Sequence, residues 1–402
     1  MLAHSHPLPL ILDYIDEDRN ITAEDKRVIT LALQHRDRVR RIRFSMRTSN
    51  SCKLLALNEE FPNLEHLYIK PLTTNDNGVT LPESFQAPNI RHLVLVNFAL
   101  PLGSPLLVTA AGLVTLSLQD IPLSMYFRPD ELLRWLSFMP QMETLGIGFH
   151  SGGVPDHDVE GQLLRMPITT HVTLPNLRWF GFEGVSAYLA ALLHWMTIPL
   201  LEKFEVYFFD NFMPPAPYLA RFINANNNLR SSHVQLGFYT KGVVVCAYPH
   251  DGARMYTWRV SFSRRNPGLL DWLVAYRTAQ LLNALRPALS SNVNLILEYE
   301  SDSAPSESHN QADRTQWREI LGSFENVNTL HVPNGLIGEV SRSLQAANGE
   351  SLMDVLPQLR KLSYSGSRGA GDKLMPFVKA RRKAGHPITL ARRELPLSWR
   401  WS

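Results

Sequence analysis

The sequence predicts an α/β solenoid, a horseshoe-like stack with a parallel sheet on its concave side and helices on its convex side. Three observations predict it. First, the stretch Phe61-Pro62-Asn63-Leu64-Glu65-His66-Leu67-Tyr68-Ile69 returns as Ala87-Pro88-Asn89-Ile90-Arg91-His92-Leu93-Val94-Leu95 and, without its proline, as Leu113-Val114-Thr115-Leu116-Ser117-Leu118. Second, the first apolar position of each copy recurs as Val39, Leu64, Ile90, Leu113, Met142, Leu177 and Leu201, at spacings of 25, 26, 23, 29, 35 and 24 residues. Third, most segments between these markers carry helical periodicity. An LxxLxL core repeating every 20–29 residues or so marks leucine-rich repeats, whose units bury their apolar faces only by stacking. The whole chain, residues 1–402, reads as a single domain of this kind.

The elements follow in order. Leu8 to Tyr14 alternates as a strand does. Thr22 reads as the N-cap of a first helix, with Asp25 completing a capping box in which Asp replaces Glu. Val28, Leu31, Ala32 and His35 are expected to share its buried face, with Ile29 and Leu33 adjoining. Val39 to Phe44 is the first repeat strand. Helices are expected from Asp130 to Met139, after a Ser186 cap, at 268–286, after an Asp313 cap with Trp317, Ile320, Leu321 and Phe324, through Leu336, Val340 and Leu344, and from Asp372 to a stop at Gly385. Leu229 and Met255 read as degraded markers. The repeat returns at Val327-Asn328-Thr329-Leu330-His331-Val332 and at Leu359-Arg360-Lys361-Leu362-Ser363-Tyr364, with Leu295-Ile296-Leu297 as a strand before them. Two places break the rhythm. Residues 234–262 suggest an irregular β-hairpin insertion, with turns at Lys241-Gly242 and Asp251-Gly252. Residues 300–313 are polar and read as an exposed loop.

Composition narrows the function classes. The chain has 402 residues, 45% of them apolar, enough for a sizeable core, and a formal net charge of +3, too balanced to indicate nucleic acid. Two cysteines, Cys52 and Cys246, are too few for a disulfide scaffold or a structural zinc site, and they read as buried thiols in a reducing compartment, cytoplasmic or nuclear. The sequon at Asn20 is then a chance match. No signal peptide is visible near Met1. The uncharged window between Arg91 and Asp120 is long enough for a membrane span, but Asn97, Pro101, Gly103, Ser104 and Pro105 interrupt it and repeat copies bracket it. Two buried strands with an apolar connection are expected there.

No nucleophile elbow, HExxH pair, P-loop or dinucleotide fingerprint occurs, so no catalytic residue, cofactor or metal is expected. Gly366-Ser367-Arg368-Gly369-Ala370-Gly371 lacks the ending of a phosphate loop and reads as a strand-to-helix connection. His150, Asp156, His157 and Asp158 fall among glycines and a proline and read as a loop instead of a metal site. The basic run Lys379, Arg381, Arg382, Lys383, Arg392 and Arg393 reads as a solvated helix face and an exposed tail.

Strand side chains alternate between faces, so the residues between the leucines are expected on the open side of the sheet. They include Ser45, Val94, Thr115, Ser117, Gln119, Thr329 and Ser363. The charged and aromatic ones are the candidate protein-binding residues: Arg41, Arg43, His66, Tyr68, Lys70, His92, Trp179, Glu183, Lys203, Glu205, Tyr207, His331 and Lys361. Solvation of the sheet accounts for any one of them alone. Together they make the extended surface that solenoids use for binding, with Trp179 and Tyr207 the most informative because aromatics are enriched at interface hot spots.

Three runs carry a family resemblance. Asp16 to Arg43, with Ala32-Leu33-Gln34-His35-Arg36-Asp37-Arg38-Val39-Arg40-Arg41-Ile42 inside it, resembles the F-box/leucine-rich-repeat-like proteins of mushroom-forming fungi. So do Leu174-Pro175-Asn176-Leu177-Arg178-Trp179-Phe180-Gly181-Phe182 and Ala312-Asp313-Arg314-Thr315-Gln316-Trp317-Arg318-Glu319. The resemblance covers nearly the whole chain. It implies a non-enzymatic protein-binding module, the substrate-recognition region of a ubiquitin-ligase receptor whose F-box docks on the Skp adaptor of a cullin complex. The F-box itself is not matched: Leu8-Pro9 is only an echo of its opening, and repeat-like sequence follows at once. The chain therefore reads as a truncated gene product or a member without an F-box, and adaptor docking requires an F-box supplied upstream. The alternative reading is a structural or decoy repeat scaffold with no degradation role.

Overall fold

The computed structural model describes residues 8–15, 21–46, 60–71, 79–82, 84–100, 104–122, 126–150, 169–209, 216–239, 242–250, 253, 255–263, 272–299, 314–346 and 351–393. The chain is α/β and divides into two compact units, Met1–Leu201 and Glu202–Ser402. Asn20, Cys52, Asp156, His157, Asp158, Leu269, Asp313, the turn residues Lys241, Asp251 and Gly252, and the polar stretch 300–313 lie outside the described residues.

In the first unit come β1 (Leu10–Ile15), α1 (Ala23–Leu33), β2 (Val39–Met46), β3 (His66–Pro71), β4 (Val79–Thr80), β5 (His92–Val96), β6 (Phe98–Ala99), α2 (Pro105–Thr109) and β7 (Thr115–Ile121). Then follow α3 (Pro129–Ser137), β8 (Thr144–Phe149), β9 (Val172–Thr173), β10 (Trp179–Gly184), α4 (Ser186–Trp195) and β11 (Met196–Thr197). A parallel sheet runs in the order β1-β2-β3-β5-β7-β8-β10. The short strands pair as β4 with β6 and β9 with β11. The uncharged window before Asp120 is β5, β6, α2 and β7, and no helix among the described residues is long and apolar enough to cross a membrane.

The repeat sets the register. Ile42, Leu67, Leu93, Leu116, Leu145 and Phe180 stand opposite one another across six strands, and Phe44, Ile69, Leu95, Leu118, Ile147 and Phe182 form the next row. The markers Val39, Leu64, Ile90, Leu113, Met142 and Leu177 are all 0% exposed. Full burial of such a side chain stabilises by about 1.5–3 kcal/mol. Exposed ion pairs such as Arg40–Glu65 at 3.2 Å contribute about 0–1 kcal/mol each, so the apolar rows dominate.

A second repeat feature sits in the turns. In the first unit the asparagine of each Pro-Asn pair donates its side-chain N–H to a carbonyl of the preceding rung: Asn63 to Asp37 at 2.6 Å, Asn89 to Pro62 at 2.6 Å and Asn176 to Pro140 at 3.1 Å. The backbone repeats the link just before each strand, from Glu65 N to Arg40 O, Arg91 N to Glu65 O, Val114 N to Arg91 O and Glu143 N to Val114 O.

α1 begins as its sequence predicts. Thr22 Oγ1 accepts from Asp25 N at 3.1 Å, and Asp25 Oδ2 accepts from Thr22 N at 3.2 Å. Its buried face differs from expectation, being Ile29, Ala32 and Leu33, while Val28 and Leu31 stay 57% and 47% exposed. The two candidate stripes lie side by side on the helix, and packing chose the one with Ile29 and Leu33. Ser186 is the first residue of α4, not its cap, which is Val185.

The second unit holds β12 (Lys203–Phe208), α5 (Ala216–Ala225), β13 (His233–Tyr239), β14 (Gly242–Tyr248), β15 (Trp258–Ser263), α6 (Trp272–Leu289) and β16 (Asn294–Tyr299). It ends with α7 (Arg314–Gly322), β17 (Thr329–Val332), α8 (Ile337–Leu344), β18 (Lys361–Tyr364), α9 (Met375–Lys383) and β19 (Thr389–Arg392). Its strand order is β12-β15-β14-β13-β16-β17-β18-β19. The β-hairpin expected at 234–262 is present as antiparallel strands, but they are built into the sheet and do not stand apart from it. β13, β14 and β15 are antiparallel neighbours inside the sheet, with β15 parallel to β12 and β13 parallel to β16. The chain leaves β12, passes through α5 and lays down β13 three strand places beyond β12; β14 and β15 then fill the two places between. Antiparallel neighbours need only short turns, whereas parallel ones need a crossover. An apolar row of the second unit runs through this reversal as Phe204, Trp258, Ala247, Val234, Leu295, Leu330 and Leu362, each 0% exposed.

In the C-terminal basic run Lys379, Arg382, Lys383, Arg392 and Arg393 are exposed as expected, but Arg381 is not. Arg381 is 0% exposed, and its guanidinium donates to the carbonyls of Leu352, Leu356 and Pro357 at 3.2, 3.2 and 3.1 Å. α9 starts after a 3-10 turn, Arg368–Lys373, so Asp372 does not cap it, while Gly385, at φ +84°, lies just past its end.

Leu116→Ala is expected to lower the unfolding free energy by about 2–5 kcal/mol, Asn89→Ala by about 1 kcal/mol, and Asp13→Asn by less than about 1 kcal/mol. Urea unfolding followed by far-UV circular dichroism ranks the three. A ranking with Asp13 first would mean that ion pairs, not apolar burial, hold the strands together.

Candidate functional site

The parity that buries the leucines sends the alternate residues of each strand to the opposite face. In the first unit this face carries two aligned rows. One is Arg41, His66, His92, Thr115, Thr144 and Trp179; the other is Arg43, Tyr68, Val94, Ser117, Gly146 and Gly181. Lys70, Gln119, Gly148 and Glu183 extend it toward the strand C-termini. Arg41, Arg43, His66, Tyr68, His92 and Trp179 are half-buried, and Lys70 and Glu183 are exposed. Ser45 and Ser117, expected on the open side, are 8% and 7% exposed and belong to the floor of this face.

The side chains on it are partly ordered by one another. The His66 and His92 rings stack at 4.3 Å with an interplanar angle of 4°, and His92 Nδ1 lies 3.1 Å from Thr115 Oγ1. Burial is the main reason both imidazoles titrate below their ordinary range; Arg41 adds to it at His66, and His66 and Arg91 add to it at His92. The pair is therefore neutral at pH 7. The Arg43 guanidinium lies 5.3 Å from the Tyr68 ring centre. Asp13 Oδ2 is 3.9 Å from both Arg41 and Arg43, at the long limit of an ion pair.

Trp179 depends on two glycines. A Cβ placed on Gly181 would lie 2.5 Å from the indole, and one on Gly146 would lie 3.2 Å from it. The ring thus lies down on the strands in space that side chains would otherwise occupy. Beside it, Glu183 lies over Gly148, whose added Cβ would come within 3.5 Å of the carboxylate. Its carboxyl is pushed up to about 7, first by burial and then by the Asp120 carboxylate. Glu183 still keeps more than a third of its surface in solvent, and water screens part of this effect.

The second unit presents a more closed face. Glu205, Arg259, Cys246, Gln235, Ile296, His331 and Ser363 make one row across its strands. Lys203 Nζ bonds Glu205 Oε1 at 2.7 Å and lies 4.6 Å from the Tyr256 ring centre, and Tyr256 OH donates to the same carboxylate. Burial pushes the Glu205 carboxyl up, but the bonds from Lys203 and Tyr256 outweigh it and hold it below its ordinary range. Tyr248 OH donates to Gln235 at 2.8 Å and Tyr239 OH to Glu298 at 2.6 Å. His331 is 3% exposed and Ser363 2%, so these two residues are not at the surface; His331 Nδ1 lies 3.0 Å from Ser363 Oγ. Cys246 is buried, and its thiol is pushed up to about 12 by burial. Tyr207 is half-buried and Lys361 exposed.

Sequence reading did not single out Thr144, Gly146, Gly148, Gly181 or Asp13. Counting by twos from the Met142 marker yields Thr144, Gly146 and Gly148, so that signal was available for them. Among the described residues no group of three His, Cys, Asp or Glu is placed to hold a metal ion. At the N-terminal edge of β5, β7 and β8 an open groove of about 420 Å³ is lined by Asn89, Arg91, Gln141 and Glu143 among others. Comparison with models of protein families and with curated proteins finds no match to this chain.

Two experiments check this geometry. Gly181→Ala is expected to displace the Trp179 ring at little cost, since the ring edge can move, with stability changed by less than about 1 kcal/mol. The difference in tryptophan emission between Gly181→Ala and its Trp179→Phe double variant should then be more red-shifted than the corresponding difference for wild type. An unchanged contribution would place the ring elsewhere. The second concerns His331, whose burial, aided by Arg393, holds its pKa at about 4 against 6.5 for a free histidine. Between these values the unfolded chain binds more protons, so stability is complete above about pH 6.5 and is lost as pH falls toward 4. The urea midpoint of wild type should fall across that window more steeply than that of His331→Gln; parallel profiles would contradict a buried neutral imidazole.

Proposed function

We propose that the chain is a leucine-rich-repeat solenoid that acts as a non-enzymatic protein-binding module, the substrate-recognition region of an F-box-type ubiquitin-ligase receptor. The observation that carries this reading is the first unit's strand face. It sets Arg41, Arg43, His66, Tyr68 and His92 side by side on three neighbouring strands and Trp179 three strands further on, all half-buried; His66 stacks on His92, Arg43 lies beside the Tyr68 ring, and Trp179 lies over Gly181 and Gly146. Side chains ordered before binding lose less entropy on association, and tryptophan, tyrosine and arginine are the residue types enriched at hot spots. Lys203, Glu205 and Tyr207 contribute less under this reading, because the Lys203 ammonium and Glu205 carboxylate already satisfy each other.

Recruitment of the Skp adaptor and cullin belongs to the family the sequence resembles and is proposed only for a chain with an F-box upstream. Co-precipitation with purified adaptor and cullin is expected to be negative for residues 1–402 alone, and clear binding would overturn that half of the reading. For the recognition half, Arg43→Glu combined with Trp179→Ala is expected to weaken capture of a partner identified with the wild-type chain by more than about 30-fold, from a hot-spot loss of about 2 kcal/mol or more. Capture at wild-type strength by a folded double variant would move the binding surface away from this face.

A further inference from the structure

The strand face of the first unit is electrically ordered, and this gives the partner a chemistry; the inference rests on the reading of that face as a protein-binding surface. Among the described residues, the strand face at the β1–β3 end carries three cations, Arg41, Arg43 and Lys70, against one carboxylate, Asp13, and these make it positive. Asp13 divides its 3.9 Å contacts between two guanidiniums, and among the described residues no ion pair holds Lys70. The middle is uncharged: the stacked His66 and His92, then Thr115 and Thr144. At the far end the outward positions of β8 and β10 carry no cation; they are Thr144, Gly146, Gly148, Trp179, Gly181 and Glu183, with Asp120 close enough to act on Glu183.

We infer that this face takes an extended segment of a partner protein running across the strands, with an acidic side chain over Arg41, Arg43 and Lys70 and a basic one over Trp179 and Glu183. Each end supplies what its ligand needs. Guanidiniums bind a carboxylate with directed, charge-assisted hydrogen bonds. An aromatic ring beside a carboxylate attracts a cation through both its face and its neighbour's charge. The length follows from the sheet: five strand steps from β2 to β10 at about 4.8 Å each span about 24 Å, which an extended segment at about 3.3 Å per residue crosses in about seven residues. A uniform polyanion fits poorly, because its far end would lie against Glu183 and Asp120. A basic side chain arriving there favours the ionised form of Glu183, so docking should release a proton near pH 7.

The test is selection of phage-displayed random dodecapeptides on the full chain. Enriched peptides are expected to pair an acidic with a basic residue about seven positions apart. A synthetic selected peptide should bind at least tenfold more weakly to Arg41→Glu/Arg43→Glu and to Trp179→Ala/Glu183→Lys, both checked for wild-type circular dichroism and thermal midpoint. Arg43→Gln and Glu183→Gln serve as milder variants should either double variant fail to fold. Replacing the peptide's basic residue by Glu should abolish binding. Enriched peptides that are purely acidic or purely apolar, or whose binding ignores these variants, overturn the charge-ordered partner while leaving a protein-binding face in place. Absence of any enrichment overturns both.

Discussion

Burial of three apolar side chains per rung is the interaction on which the rest of this structure depends. Leu64, Leu67 and Ile69 on one rung meet Ile90, Leu93 and Leu95 on the next, and all are at most 1% exposed. No single rung can hide these residues, so each is stable only against its neighbours. Register then has little freedom. A slip of one residue would exchange every leucine for His66, Tyr68 or a counterpart and move charged groups into the core. The asparagine bonds in the turns pin the same register from the edge, at the smaller energies expected of hydrogen bonds between exposed groups.

The outward face is the consequence of that register. Parallel pairing in one phase lines up side chains that are 23–35 residues apart in sequence, which brings His66 onto His92 and Trp179 over Gly146. The glycines do something a larger residue would prevent: they let an indole lie on the sheet beside a carboxylate with a raised pKa. Along the face the described residues change from mostly cationic to anionic, with only Asp13 near the guanidiniums, the condition for a surface that discriminates between partners by charge.

The second unit solves the same packing problem with different topology. Its apolar row passes unbroken through two antiparallel pairings, because antiparallel and parallel neighbours alike present alternate residues to the same side. Its outward face is largely satisfied internally. Lys203, Glu205 and Tyr256 share one network, Tyr248 holds Gln235, and His331 meets Ser363 out of solvent. A buried polar group must find a partner or lose about 1–3 kcal/mol; Gln235 Oε1 and His331 Nδ1 find theirs within the sheet, whereas among the described residues Gln235 Nε2 and His331 Nε2 have none.

Much of this was legible in the sequence. The LxxLxL markers located the strands from Val39 to Leu201, the parity of the repeat named the outward residues, and Thr22 with Asp25 announced the start of α1. These are local signals, set by period and capping chemistry, and they survive folding unchanged. Tertiary structure alone decided the rest. It chose Ile29 and Leu33 over Val28 and Leu31, since both stripes are apolar and only the neighbouring elements distinguish them. It threaded β13, β14 and β15 into the sheet, because turn signals fix a reversal but not which strand receives it. It buried Arg381 among carbonyls and His331 beside Ser363, where exposure depends on what packs above a residue. It assembled the charge order of the first face, because Asp13, Arg43, Trp179 and Glu183 become neighbours in a pattern only after separate rungs are stacked.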